Sequence, residues 1–302
     1  MPAVTCAEIS RDRRRLTVAV KDYDLAATLT SGQAFRWIAV DRGWESVIGA
    51  RWVRLTSLRG AISVEVATAV DDWSWIENYL GLEADMEAVV AAFPDDASLR
   101  RAVRACRGLR LLRQDPWECL ASFILSSTKR IQQIQQIVSL LCQRWGAPVA
   151  VPPGRSVAYS FPSPARLARC SEAELRACKM GFRAPYLLEA AKRCDRGELN
   201  LSGMASLGLE EAREHLMRLP GVGEKIANCA LLFGLGFQRA FPIDVWIEKA
   251  LSELYFPTEK PSAAKLRSFA HEYFGPHAGY AQQYLFHYMR VASKPLKPDR
   301  GG

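Results

Sequence analysis

The stretch Leu216-Met-Arg-Leu-Pro-Gly-Val-Gly-Glu-Lys-Ile-Ala-Asn-Cys-Ala230 decides how the chain is read. A helical pattern over Leu209–Leu219 ends near Arg218, and Pro220 fixes the turn that follows. Gly221 and Gly223 admit left-handed or tight backbone angles, and a second helix begins around Glu224 and runs to Leu235. The first N–H groups of that second helix are unpaired and face outward, with the positive end of its dipole behind them. Such a corner can grip a phosphate without reading base sequence. A plain helix corner whose glycines serve geometry alone would share this glycine spacing, so the residues around it must choose between the two.

Downstream of this corner the periodicity predicts helices at Val245–Leu254, Ala263–Phe274 and Gly279–Val291. Upstream it predicts them at Ala165–Cys178 and Ala184–Cys194, and over Ile131, Ile134, Val138 and Leu141, which fall on one stripe. Pro148–Pro153 and Pro162–Pro164 mark an irregular connection. The first third has a different period. Leu16, Val18 and Val20 alternate with small or polar residues, as do Ile62, Val64 and Val66. Between them Ala34–Val40 and Trp44–Leu58 are rich in Trp, Phe, Val and Ile. Alternation with Gly-bearing turns predicts an antiparallel sheet, wet on one face. Asp71–Val90 then reads as a helix with Trp75, Ile76, Tyr79 and Leu82 on one side. The expected class is α+β, with a sheet domain over residues 1–114 and a helical body over 115–302 that ends in a short flexible tail, Lys294–Gly302.

The 302 residues are 49% apolar and carry a formal net charge of +8, with a pI near 9.1. That balance points to a polyanionic partner, nucleic acid first. No apolar run has the length of a membrane span, and no apolar segment follows the basic N-terminus, so a cytoplasmic or nucleoid (in a eukaryote, nuclear) monomer is expected. Cysteines stand at 6, 106, 119, 142, 170, 178, 194 and 229. None forms a C-x-x-C pair, which excludes zinc ribbons and argues against an iron–sulfur cluster. No cofactor is expected to be required. Arg101, Arg104, Arg107, Arg110 and Arg113 drift around a helix by about 60° per step, which predicts a solvated face rather than a phosphate track.

Two residues bring chemistry to the corner. Lys225 lies in the first turn of the second helix. As a nucleophile its amine must be neutral, whereas an unperturbed lysine titrates near pKa ~10.4; burial and a helix N-terminus both favour the neutral form. Asp244 precedes the run Val245–Leu254 and reads as its N-cap. A carboxylate held by capping has a fixed direction. Near a sugar it would stabilise the positive charge that grows at C1′ as a base departs.

Leu219-Pro-Gly-Val-Gly223 resembles the helix–hairpin–helix of DNA-repair proteins. With Lys225 and, nineteen positions beyond it, Asp244 in Pro242-Ile-Asp-Val245, it resembles the helix–hairpin–helix base-excision glycosylases. Ser31-Gly-Gln-Ala-Phe-Arg-Trp37 and Leu111-Leu-Arg-Gln-Asp-Pro-Trp-Glu-Cys119 extend the likeness over nearly the whole chain, to the 8-oxoguanine DNA glycosylase family. The resemblance implies a bifunctional glycosylase/abasic-site lyase acting on double-stranded DNA through a Lys225 Schiff base, with Asp244 as the carboxylate partner. It further implies that Gly32 accepts a hydrogen bond from N7–H of the oxidised base, that Cys229 and Phe286 sandwich that base, and that Gln282 reads its Watson–Crick edge. Gly221, Gly223 and Trp246 would meet phosphates. The carbonyls of Met217, Leu219 and Val222 would hold a structural monovalent or divalent cation. Thr128, Lys129 and Arg183 would face the opposite base.

The chain departs from the family at three places. Thr128-Lys129-Arg130 replaces asparagines, Gln133 replaces an arginine that reads cytosine, and Trp246 replaces a histidine. A helix–hairpin–helix glycosylase for another damaged purine, and a non-catalytic DNA-binding hairpin, are the alternatives.

Overall fold

The computed structural model describes residues 7–127 and 129–292. Cys6, Thr128 and the Lys294–Gly302 tail lie outside the described residues. The strands of the main sheet are β1 (Ala7–Ile9), β2 (Arg15–Ala19), β3 (Ile38–Val40), β4 (Gly43–Ile48), β5 (Arg51–Leu58) and β6 (Ala61–Val66). Among the described residues they form one antiparallel sheet in the order β1-β2-β6-β5-β4-β3. The register sets Leu16 and Leu55 on either side of Val64, and Val18 opposite Ile62, so the period-two apolar residues fall on one face. The segment Trp44–Leu58 is thus two strands, turned at Gly49, whose φ is +56°. Of Ala34–Val40 only the last three residues are strand. The sheet is also drier on its outer side than alternation predicts. Trp52 is buried there, with the Arg155 guanidinium 6.0 Å over its ring and Arg155 paired to Glu45 at 2.9 Å.

The helices are α1 (Leu25–Thr30), α2 (Ser74–Tyr79), α3 (Met86–Ala91), α4 (Ala97–Ala105), α5 (Pro116–Ile124), α6 (Ile131–Trp145), α7 (Pro164–Ala168), α8 (Glu172–Leu175), α9 (Ala184–Asp195), α10 (Leu209–Met217), α11 (Glu224–Ala230), α12 (Val245–Tyr255), α13 (Ala263–Tyr273) and α14 (Ala278–Ala292). The six-residue α1 has no sequence precursor in the reading above; it is too short for a periodic stripe and is started by Asp24, whose carboxylate caps the Ala27 N–H. The helix expected over Asp71–Val90 is two helices, α2 and α3. Gly81 breaks it at φ +64°, and Asp85 caps the second half. Likewise Ala165–Cys178 divides at Ser171, which forms a capping box with Glu174 and starts α8.

Two apolar cores result. The smaller lies between the sheet and α1–α2, around Leu16, Leu55, Val64 and Ile76. The larger fills the helical body and includes Leu99, Leu120, Leu141, Leu216, Leu231 and Phe274. Arginine 110 departs from the expected solvated series: Arg101, Arg104, Arg107 and Arg113 are exposed, but Arg110 is buried. It lies 5.4 Å over the Tyr23 ring and donates to the Lys21 carbonyl at 3.1 Å. No helix among the described residues is long and apolar enough to cross a membrane.

The loop between α1 and β3 joins the two cores. Phe35 from this loop packs edge-on against Phe123 at 5.4 Å, and Phe123 stacks on Phe233 at 5.7 Å. Beside it Arg36 pairs with Glu118 at 3.3 Å, their side chains only 11% and 17% exposed, and also donates to the Tyr159 carbonyl. Burial pushes the Glu118 carboxyl up and the Arg36 guanidinium pulls it back. Removing one partner would leave a buried uncompensated charge. Arg36→Met is expected to lower unfolding free energy by roughly 3 kcal/mol in urea titration. Adding Glu118→Met should restore most of the loss; an unchanged midpoint in the single variant would exclude this role for the pair.

Candidate active site

At the corner, α10 ends at Met217 with Arg218 as its C-cap, and the chain reverses through Leu219–Gly223. Val222 N–H closes the turn on the Leu219 carbonyl at 3.1 Å. Gly221 sits at φ +76°, and a Cβ there would lie 2.3 Å from the Tyr186 ring, which props the turn from below. Gly223 differs from the expectation. Its φ of −88° is open to any residue, it forms the N-cap of α11, and a Cβ there would meet nothing within 4 Å. Beyond Ala230 the helix continues as a wider π-type turn over Leu231–Leu235, and Arg113 donates to its last carbonyl, that of Leu235, at 3.3 Å.

Lys225 is half-buried in the first turn of α11. Its Nζ donates to Ser126 Oγ at 3.0 Å and lies 5.2 Å from the Phe123 ring centre. Ser126 gives its own proton to the Phe123 carbonyl at 2.7 Å, which leaves a lone pair for the amine. Asp244 caps α12 as anticipated: Oδ1 accepts from the N–H groups of Trp246 and Ile247 at 3.1 and 3.0 Å, which fixes the direction of Oδ2.

Cys229, one turn beyond Lys225, is buried. Burial pushes its thiol up to about 11; the charge of Lys225 pulls it down and that of Asp244 pushes it up. Both charges therefore reach this one sulfur. On α14, Gln282, Phe286 and Arg290 recur every four residues and share a face. A Cβ built on Gly32, itself at φ +80°, would lie 3.3 Å from the Phe286 ring and 3.4 Å from an Arg290 nitrogen. The Arg290 guanidinium lies 5.2 Å over Phe286; burial lowers its pKa and the charge of Asp244 acts against that shift. Lys225, Cys229, Asp244, Arg290, Phe286 and Gly32 are thus linked around one region. Gln282 is 4% exposed, and its Oε1 has no partner among the described residues.

The Lys129 N–H donates to the Ser126 carbonyl at 3.2 Å, which ties that loop to the residue holding the amine. Arg183 is buried, with its guanidinium 4.2 Å over the Phe182 ring. Phe182 itself is 53% exposed and packs at 6.3 Å against Tyr186, the ring under the hairpin. Gln133 accepts from the Arg130 N–H at 2.9 Å and so caps α6. In the hairpin Leu219 and Val222 are buried and Met217 is exposed. Ser126, Phe123, Phe182 and Arg290 were not singled out from sequence. The available signals were a polar residue two positions past α5, an aromatic beside Arg183 and an arginine four residues after Phe286; Phe123, one of several apolar residues of α5, carries none.

The raised Cys229 thiol ties a proton to the folded state. That contribution is present below the ordinary thiol pKa of 9.0 and fades as pH rises through about 11. At pH 9 iodoacetamide should label Cys229 slowly in the native protein and rapidly in urea, as read by peptide mass spectrometry. Equal labelling in both states would contradict the burial.

Comparison with known proteins gives a consistent picture. Residues 15–120 match the 8-oxoguanine DNA glycosylase N-terminal domain, and residues 121–276 match the HhH-GPD superfamily of base excision DNA repair proteins. The N-glycosylase/DNA lyase OGG1 of Arabidopsis thaliana is 31% identical, over 90% of this chain and 79% of its own length. A probable N-glycosylase/DNA lyase of Methanothermobacter thermautotrophicus is 29% identical, over 91% and 96%. In structure, the 8-oxoguanine glycosylase/lyase of Clostridium acetobutylicum, solved with double-stranded DNA holding cytosine opposite 8-oxoG, superposes with a TM-score of 0.89 at 30% identity, covering 96% of this chain and 99% of that one. The chain belongs to the helix–hairpin–helix superfamily of base excision DNA repair proteins, in the branch that carries the 8-oxoguanine DNA glycosylase N-terminal domain.

Proposed function

We propose that this protein is a bifunctional DNA glycosylase/abasic-site lyase that removes 8-oxoguanine from duplex DNA through a Schiff base on Lys225. The observation that carries this reading is the amine of Lys225, held by Ser126 over the Phe123 ring in the first turn behind the hairpin.

In the reaction the damaged nucleotide leaves the stack. The C1′–N9 bond breaks, its electron pair departs with the base, and positive charge grows on the sugar beside Asp244. Lys225 first gives its ammonium proton to solvent; the free amine then bonds to C1′, the proton it sheds passes to the departing base, and ring opening with proton uptake at O4′ yields a protonated imine. Loss of a C2′ proton then expels the 3′ phosphate and nicks the strand. Intact guanine presents an acceptor at N7 and the lesion a donor, so a carbonyl from Gly32 would repel the first and welcome the second. Cys229 stays a neutral thiol suited to lie against a flat base, with Phe286 as the opposite face. The unpartnered Gln282 Oε1 is an acceptor suited to the Watson–Crick edge.

The N–H groups at Gly221 and Gly223, the α12 start at Trp246 and the net charge of +8 serve the phosphates. Should the hairpin hold a cation, its ligands would be the carbonyls of Met217, Leu219 and Val222. These are hard neutral oxygens, the donor type such a cation takes. The place of action is the cell's DNA, in nucleoid or nucleus.

Borohydride should trap a covalent adduct with DNA bearing 8-oxoguanine, and Lys225→Gln should abolish it; a full-strength adduct in that variant would remove Lys225 from the role. Duplex binding with neither base release nor adduct would leave only a DNA-gripping hairpin. Opposite-base choice rests on Thr128, Lys129 and Arg183. Gln133, at the family's arginine position, is engaged in capping α6. Excision opposite each of the four bases is therefore expected to vary less than tenfold, within about 1.4 kcal/mol; strict dependence on cytosine would refute this.

A further inference from the structure

Gly32 lies in the loop between α1 and β3, and three buried glutamines surround it. Gln33, Gln114 and Gln283 are 0%, 8% and 2% exposed. Gln283, on α14, donates through Nε2 to the Ser31 carbonyl at 3.0 Å, which pins the peptide before Gly32. Gln114 donates to the Gln33 carbonyl at 2.6 Å, which pins the peptide after the Gly32–Gln33 bond. Gln114 is itself anchored, its N–H bonded to the Phe233 carbonyl at 2.8 Å. The Gln33 side chain completes the clamp. Its Nε2 donates to the carbonyls of Thr28 and Arg110 at 3.0 and 2.8 Å, and its Oε1 accepts from the Leu112 N–H at 2.8 Å. A backbone N–H can only donate, so the orientation of that amide is fixed.

The Gly32–Gln33 peptide, which carries the Gly32 carbonyl, is thus caught between two peptide planes that cannot turn. One clamp comes from α14, immediately beside Gln282 and one turn from Phe286. The helix that carries the edge reader and the stacking ring therefore also sets the carbonyl. A core that needed only packing would place apolar side chains here. Three glutamines, each donating to a backbone carbonyl, instead fix direction, which packing cannot do.

We propose that Gln33, Gln114 and Gln283 are positioning residues that aim the Gly32 carbonyl at the base, so that lesion discrimination depends on them. This rests on the reading of Gly32 as the N7–H acceptor given under Proposed function. Misplacing a recognition group by about 1 Å can cost on the order of 100-fold in rate. Cleavage at a preformed abasic site, in contrast, needs Lys225 but no base contact.

The test compares wild type with Gln283→Met and Gln114→Met, each close to the original volume but unable to donate. Single-turnover rates would be measured on a duplex with one 8-oxoguanine, on a duplex with one abasic site, and on undamaged guanine, with thermal unfolding as a check on folding. The expected result is a loss of 8-oxoguanine excision on the order of 10- to 100-fold. Abasic cleavage should stay within about threefold, and preference over guanine should fall. Excision within about threefold of wild type in both variants overturns the inference. So does a parallel fall of both activities that tracks the unfolded fraction, since that is a structural role. If wild type itself cleaves the abasic duplex but leaves 8-oxoguanine in place, the reading of Gly32 falls and this inference with it.

Discussion

Phe35, Phe123 and Phe233 form a column across the join between the sheet and the helices, and the proposed reaction centre is built on its middle ring. Phe123 lies 5.2 Å below the Lys225 amine, and its carbonyl takes the Ser126 proton that turns the serine oxygen toward that amine. The same ring is braced by Phe35 from the loop that carries Gly32. Amine and carbonyl are therefore referred to one rigid object, and neither depends on a flexible connection for its place. The buried Arg36–Glu118 pair locks the loop to α5 from the other side, and its energetic worth lies in geometry, since an ion pair in such a place gains little over apolar packing.

Charge is handled sparingly around this column. One ammonium and one carboxylate reach Cys229, and burial keeps the thiol neutral between them. A neutral polarisable sulfur there leaves the field of Asp244 for whatever positive charge develops nearby. Arg290 is a second cation within reach of that carboxylate, and it also faces Gly32, so the acid is balanced from two directions while its helix cap holds it still.

Much of this was legible in the sequence because it is local. Asp244 is an N-cap at the position its neighbours require, Lys225 falls in a first turn that Pro220 and Gly221 define, and the strands follow a strict alternation. What escaped notice depends on partners far along the chain. Ser126 meets Lys225 across 99 residues, and Arg290 reaches Thr30 across 260; no window of sequence contains either pair. Arg110 looked like one of a solvated series because spacing cannot reveal Tyr23 beneath it. Gly223 looked like Gly221 by type, but only one of them has a backbone that excludes side chains. The long helices expected over Asp71–Val90 and Ala165–Cys178 failed where Asp85 and Ser171 offered capping oxygens strong enough to restart the chain.

Tyr186 ties two parts of the surface that chain order keeps apart. Its ring fills the space under Gly221 and touches Phe182, the exposed aromatic that stacks on Arg183. The tip of the hairpin and the aromatic edge before α9 are therefore packed as a single block. Were a duplex to lie across both, with its phosphates at the hairpin as proposed, it would meet a template of set spacing rather than two independent contacts.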